Sequence, residues 1–204
     1  MTQQQDPLQQ DLSIKTKILL SAKKLFAQQG YDGTSVRQIC EEAGGNVALV
    51  SYHFGGKENV FRAIFEEYFP GKDLKQYEEQ FQDPVNGVKI LIRGVLEFFA
   101  QDEELSRIIH QELTMQSPRT EVVESFVMPV WGKMRELLEL GKKQGVFHFQ
   151  SVDMVFFLTI GALTYQNHCQ AAKSWMPNLE VDLNETIEAA TGFILQGLGW
   201  HIER

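Results

Sequence analysis

Apolar residues recur three and four positions apart along nearly the whole chain, and that spacing confines it to helices. The first run, Ile14, Ile18, Leu19, Ala22, Leu25 and Phe26, marks one face of a helix that Asp11 or Ser13 caps and Gly30 ends. Thr34 is expected to cap a short helix through Val36, Ile39 and Ala43, stopped by Gly44-Gly45. Asn46 caps a third, Val47 to about His53, before Gly55-Gly56; a fourth runs from Lys57 to about Phe69, before Pro70. After a polar stretch at 71–82, Asp83-Pro84 supplies an N-cap and an N1 proline. Helices are then expected at about 84–101, 103–116, 120–144, 152–174 and 184–199, separated by Ser117-Pro118, Gly145, Ser151 and Pro177. No two-residue alternation competes, and no internal repeat is visible. The expected class is all-α, a small N-terminal unit joined to a larger helical body.

Composition narrows the class further. With 43% apolar residues in 204, the chain has enough to build a core. The longest near-apolar run, Met154 to Tyr165, falls short of the roughly 20 residues that a membrane span needs. No secretory leader is read at the start, and the Gln- and Asp-rich residues 1–11 read as a flexible tail. Cys40 and Cys169 fit neither a disulfide framework nor a zinc site, so a reducing, cytoplasmic setting is expected. The net charge is −8, but it is unevenly spread. Residues 12–62 hold seven basic against four acidic side chains, whereas 70–204 hold twelve against nineteen. Only the N-terminal region avoids repelling DNA.

Residues 34–54 form two short helices around a glycine turn, a helix-turn-helix whose second helix can enter the major groove. Val36, Ile39 and Ala43 face inward, Cys40 is small where the helices approach, and Asn46 caps the second helix. Such a pattern alone is weak. Its flanks also match: Ala22…Leu25-Phe26…Gly30-Tyr31, Thr34-Ser35-Val36-Arg37-Gln38-Ile39…Ala43-Gly44, Tyr52-His53-Phe54 and Lys57-Glu58…Val60-Phe61. Over about residues 13–65 the chain resembles the TetR family of bacterial transcriptional regulators. The resemblance implies a dimer of helical subunits, each with three N-terminal helices that bind DNA and a divergent body that binds a small ligand. Residues 12–56 are accordingly expected to be the helix-turn-helix DNA-binding domain, and 57–204 the ligand-binding and dimerisation domain. Two departures stand out. Gly45 replaces the small aliphatic residue usual after the turn glycine, and Val47 replaces a basic or polar residue.

Geometry assigns roles at the DNA surface. Thr34 and Ser35 lie at a helix N-terminus suited to phosphate, and Arg37 and Gln38 reach phosphate or a base edge. Asn46, Val47, Ala48 and Ser51 face the groove, where Val47 and Ala48 suit thymine methyls. Tyr52 and His53 offer polar tips on aromatic bodies, and Lys57 adds a phosphate-binding charge. Outside this register, Thr34 and Asn46 would be plain caps, Lys57 a solvated charge, and Tyr52-His53 the edge of a core.

In the body, Phe98, His110, Leu113, Phe126, Trp131, Tyr165 and His168 mix aromatic or apolar surface with polar handles, as ligand pockets do. Most apolar stripes there are expected to be core, and Pro129 is expected to kink its helix and open space. Enzyme readings find little footing. His110-x-Glu112 lacks a following Pro-Cys-x-x-Cys, His110 and His168 lack HExxH spacing, and adjacent His168 and Cys169 point apart on a helix. No catalytic residue, metal or cofactor is assigned. Helices at 152–168 and 184–200, through Phe157, Gly161, Ile187, Ile194 and Leu198, are expected to form a two-fold four-helix dimer interface. The functional expectation is a ligand-released repressor binding a palindromic operator of double-stranded DNA as a homodimer, with a small-molecule effector and no membrane partner. The alternative is a helical binding or interaction protein with a vestigial helix-turn-helix.

Overall fold

Ser13 accepts the amide of Thr16 and opens α1, Ile14–Gln29, which buries Ile18, Leu19, Ala22 and Phe26 on one side. In the computed structural model, which describes residues 13–72, 74–165 and 182–200, three further helices complete the N-terminal unit. They are α2, Val36–Glu42, α3, Val47–Phe54, and α4, Lys57–Tyr68. Ser35, not Thr34, caps α2. The Ser35 hydroxyl accepts the Gln38 amide at 3.2 Å, and the Gln38 side-chain oxygen accepts the Ser35 amide at 2.8 Å. This reciprocal box satisfies two of the amides left over at a helix start. Gly44 turns the chain with φ +71°, where a side chain would be strained. The departure at Gly45 also has a reason. A Cβ there would lie 2.9 Å from Leu49 Cδ1 and 3.4 Å from Ile14 Cδ1, so α1 and α3 close over the turn only because it is bare.

The body consists of α5, Pro84–Gln101, α6, Glu103–Met115, α7, Thr120–Lys143, α8, Val152–Thr164, and α9, Leu183–Gly197. Among the described residues there is no strand, and no helix is long and apolar enough to cross a membrane. The chain is all-α as expected. The tail at 1–11, the far half of the helix expected at 152–174, His168 and Cys169 lie outside the described residues.

Helix α5 runs through the middle, packed on α7 and α9. Its Gly87 permits the approach: a Cβ would stand 2.6 Å from Leu137 on α7. Helix α7 passes through Pro129 unbroken. Within the polar stretch at 71–82 and just before it, short 3-10 turns form at Pro70–Lys72, Leu74–Tyr77 and Gln80–Gln82, and Phe81 is buried beneath Lys133.

Head and body share one core. Ring contacts run from Phe26 on α1 to Phe61 and Phe65 on α4, then to Phe126 on α7, with centroids 5.8, 5.2 and 5.4 Å apart. Phe69 continues the column to Phe98 on α5 at 5.6 Å. Interiors packed this tightly transmit displacement rather than absorb it.

Candidate nucleic-acid interface and ligand cavity

The outward face of the helix-turn-helix carries Ser35, Arg37, Gln38, Asn46, Val47, Ala48, Ser51 and Tyr52, all exposed. Asn46 caps α3 through the Ala48 amide at 2.8 Å, which fixes where the helix begins. Val50 is the buried anchor of α3, which leaves Val47, Ala48 and Ser51 on the open side. Val47 is 49% exposed and Tyr52 83%. Such apolar exposure in so small a unit suits contact with thymine methyls. Arg37 pairs with Glu41 at 2.7 Å, and its guanidinium pKa is raised by that bond. The pair lies in open solvent, where it costs little to exchange Glu41 for a phosphate. His53 is half-buried between the rings of Tyr52 and Phe54.

Two expected phosphate contacts are corrected. Thr34 is 1% exposed, and its hydroxyl donates to the Gly30 carbonyl at 2.8 Å, so it braces the loop between α1 and α2. The Lys57 ammonium turns inward as well. It donates to the carbonyls of Tyr31 at 2.9 Å and Thr34 at 2.7 Å and lies 4.0 Å from the Tyr31 ring centroid. Burial pushes its pKa down. We expect Lys57→Met to weaken operator binding through the loop, while the slope of log affinity against log salt stays unchanged. A phosphate contact would lower that slope by about one unit, so a salt titration of both proteins separates the two roles.

Between α5, α6 and α7 lies a half-open cavity of about 540 Å³. It is lined mainly by apolar and aromatic side chains, among them Tyr68, Phe69, Leu91, Val95, Ile109 and Val130. Of the residues expected there, Phe98, Leu113 and Trp131 line it. The other described ones do not. Phe126 packs between Phe65 and Phe69 as the joint between head and body. His110 is exposed beside Thr114, and Tyr165 is 62% exposed on the outer face of α8. Sequence reasoning missed Tyr68 and Phe69, because nothing local to the end of α4 marks which body helices it meets. Asp102 lies at the cavity edge, caps α6 through the Leu105 amide, and grips Lys23 of α1 with both oxygens at 2.8 and 2.9 Å. One wall of the cavity is thereby tied to the head.

The expected dimer residues divide. Phe157 and Gly161 are exposed on α8, whereas Ile187, Ile194 and Leu198 are 3, 5 and 1% exposed inside their own protomer. The outer apolar face is instead Met154, Phe157, Leu158 and Tyr165 with Phe193 of α9, each more than half exposed. Among the described residues no group of His, Cys, Asp and Glu could hold a metal ion. Cys40 is buried, which pushes its thiol pKa up.

Residues 18–64 match the sequence profile of "Bacterial regulatory proteins, tetR family". The chain is 31% identical over 138 residues to the "Probable HTH-type transcriptional regulator YttP" of Bacillus subtilis, covering 65% of this chain and 67% of that one. It is 23% identical over 156 residues to the transcriptional repressor NicS of Pseudomonas putida, covering 74% of each. Among solved structures it is similar to HlyIIR, a hemolysin II transcriptional regulator, with a TM-score of 0.71 and 28% identity over 87% of this chain and 97% of that chain. With an outward recognition helix and a helical body carrying its own cavity, the chain belongs to the TetR family of DNA-binding transcriptional regulators.

Proposed function

We propose that the chain is a ligand-released repressor that binds a two-fold operator as a homodimer. The observation that carries this reading is the cavity beside α6, whose edge residue Asp102 holds Lys23 on α1. A ligand filling that space favours one separation of the two recognition helices over another, and such differential binding is what shifts an equilibrium between two states. The half-sites then lie about 34–36 Å apart, one duplex turn, as two recognition helices on one face demand. The relatives support the repressor sense, since NicS carries that name. The apolar α3 does not favour a vestigial helix-turn-helix, because Val47 and Tyr52 stand in solvent rather than in a core.

The test is selection of duplexes by the wild-type protein from a random library and from DNA upstream of its own coding sequence. Enrichment of an inverted repeat bound by two protomers is expected. Affinity no greater than for unrelated DNA at the same salt would end the proposal. The effector is sought by screening small molecules for release of the selected duplex.

A further inference from the structure

The loop between α1 and α2 is held from the body by a side chain that no sequence pattern marks. Arg119 precedes α7 and is 13% exposed. Its Nε donates to Glu112 Oε2 at 3.2 Å, and its two terminal nitrogens donate to Asp32 at 3.1 and 3.5 Å. The guanidinium carbon also lies 4.1 Å from the Tyr31 ring centroid. Glu112 is 6% exposed and accepts the Ser117 hydroxyl too. Tyr31 is therefore approached by two cations, Arg119 from the body and Lys57 from α4, while its ring packs on Phe26 and Phe61.

We propose that Arg119 is a positioning residue for operator binding: anchored on buried Glu112, it fixes Tyr31 and Asp32, and so sets how α2 and α3 are presented to DNA. The inference rests on the DNA-binding reading above. Only a planar fork serves both carboxylates while lying against a ring, so lysine is a poor substitute. The loop it holds is short. Three residues after Asp32 comes Ser35, the cap of α2, and Thr34 and Lys57 close the loop from the other side. Leu113, next to Glu112 on α6, lines the cavity, so the same anchor adjoins the ligand-binding wall.

Charge and position make opposite predictions for Asp32. Removing an acid from the head should strengthen DNA binding if only the field matters. Removing the outer half of the Arg119 anchor should weaken it if the loop must be held. The full-length protein and its selected duplex are used, with an unrelated duplex as the reference. Asp32→Asn, at a side chain 82% exposed, is expected to fold normally and to lose about fivefold in operator affinity, the low end of coupling between sites. Its affinity for unrelated DNA should stay equal or rise. Arg119→Gln should lose more than about tenfold, with Arg119→Lys between it and wild type. Arg107→Gln, which breaks an exposed pair with Glu103 on α6, should change nothing. Amide hydrogen exchange at residues 31–35 should quicken in both Asp32→Asn and Arg119→Gln. If Arg119→Gln melts below the assay temperature, Asp32→Asn decides alone. Operator binding by Asp32→Asn as tight as wild type, or tighter, overturns the proposal. A wild-type protein that selects no duplex overturns the function and this inference together, whereas wild-type binding with indifferent variants overturns this inference alone.

Discussion

Phe157→Glu yields a folded monomer whose operator affinity falls by about a hundredfold or more, the loss expected when two linked contacts become independent. Phe157 is 70% exposed in the protomer, and Met154, Leu158, Tyr165 and Phe193 beside it are 59, 60, 62 and 72% exposed. A large aromatic side chain contributes about 150–250 Å² when buried, so three of them, with Met154 and Leu158, supply from each subunit the apolar centre of a substantial interface. Around them the surface is bare. Among the described residues a Cβ at Gly161, Gly192 or Gly197 would meet nothing within 4 Å, which leaves room for a second backbone. Glu at 157 costs the protomer little, because it replaces an exposed ring. In the dimer it buries a charge without a partner, and that is strongly destabilising. Sedimentation at about 10 µM, within the range of specific association, and a circular-dichroism melt check both halves. A dimeric Phe157→Glu protein would refute this choice of face.

The same helices show what sequence could and could not say. Ile187, Ile194 and Leu198 looked like interface because they form the apolar stripe of α9, yet that stripe faces α5 and the protomer's own core. Periodicity reports that a face is buried but not by which chain, and α8, apolar nearly all round, has no polar side to break the tie. Within the head, the register was legible because local signals agree there: glycine turns, caps and inward residues are only a few positions apart. Even so, adjacent Thr34 and Ser35 compete for one cap. Ser35 has Gln38 three places on, the residue type a capping box needs, and that signal was present in the chain. The inward turn of Lys57 was not. It depends on where the carbonyls of Tyr31 and Thr34 fall, some 26 and 23 residues away. Arg119 and Asp32, separated by 87 positions, are beyond any local pattern for the same reason. Phe81 and Phe147 escaped notice because they sit outside periodic helices, although Gly141 records the latter: a Cβ there would be 2.1 Å from the Phe147 ring.

Gly94→Phe should leave the dimer and its operator binding within a few fold, while reducing its response to an effector by more than about tenfold, the scale of an ordinary coupling free energy. Gly94 lines the cavity from α5, and a Cβ at that position would meet nothing within 4 Å. The space beside it is therefore open, and a phenyl ring can occupy part of the cavity without displacing the packed side of the helix, Val88, Ile92 and Leu96. Replacing a mid-helix glycine also removes about 0.5–1 kcal/mol of backbone entropy cost, so the melting temperature should hold or rise. That combination distinguishes blocking from damage. A damaging substitution lowers stability and operator affinity together, whereas a filled cavity loses only what enters it. Nile red, an uncharged apolar dye, provides a direct reading before any natural effector is known: its fluorescence should rise with wild-type protein and far less with Gly94→Phe. Phe98 and Trp131 surround the same space, so Trp131→Ala should enlarge it and leave dye binding intact. Equal dye binding by wild type and Gly94→Phe would place the apolar site elsewhere in the body, and the link from Asp102 to Lys23 would then no longer connect a ligand to the head.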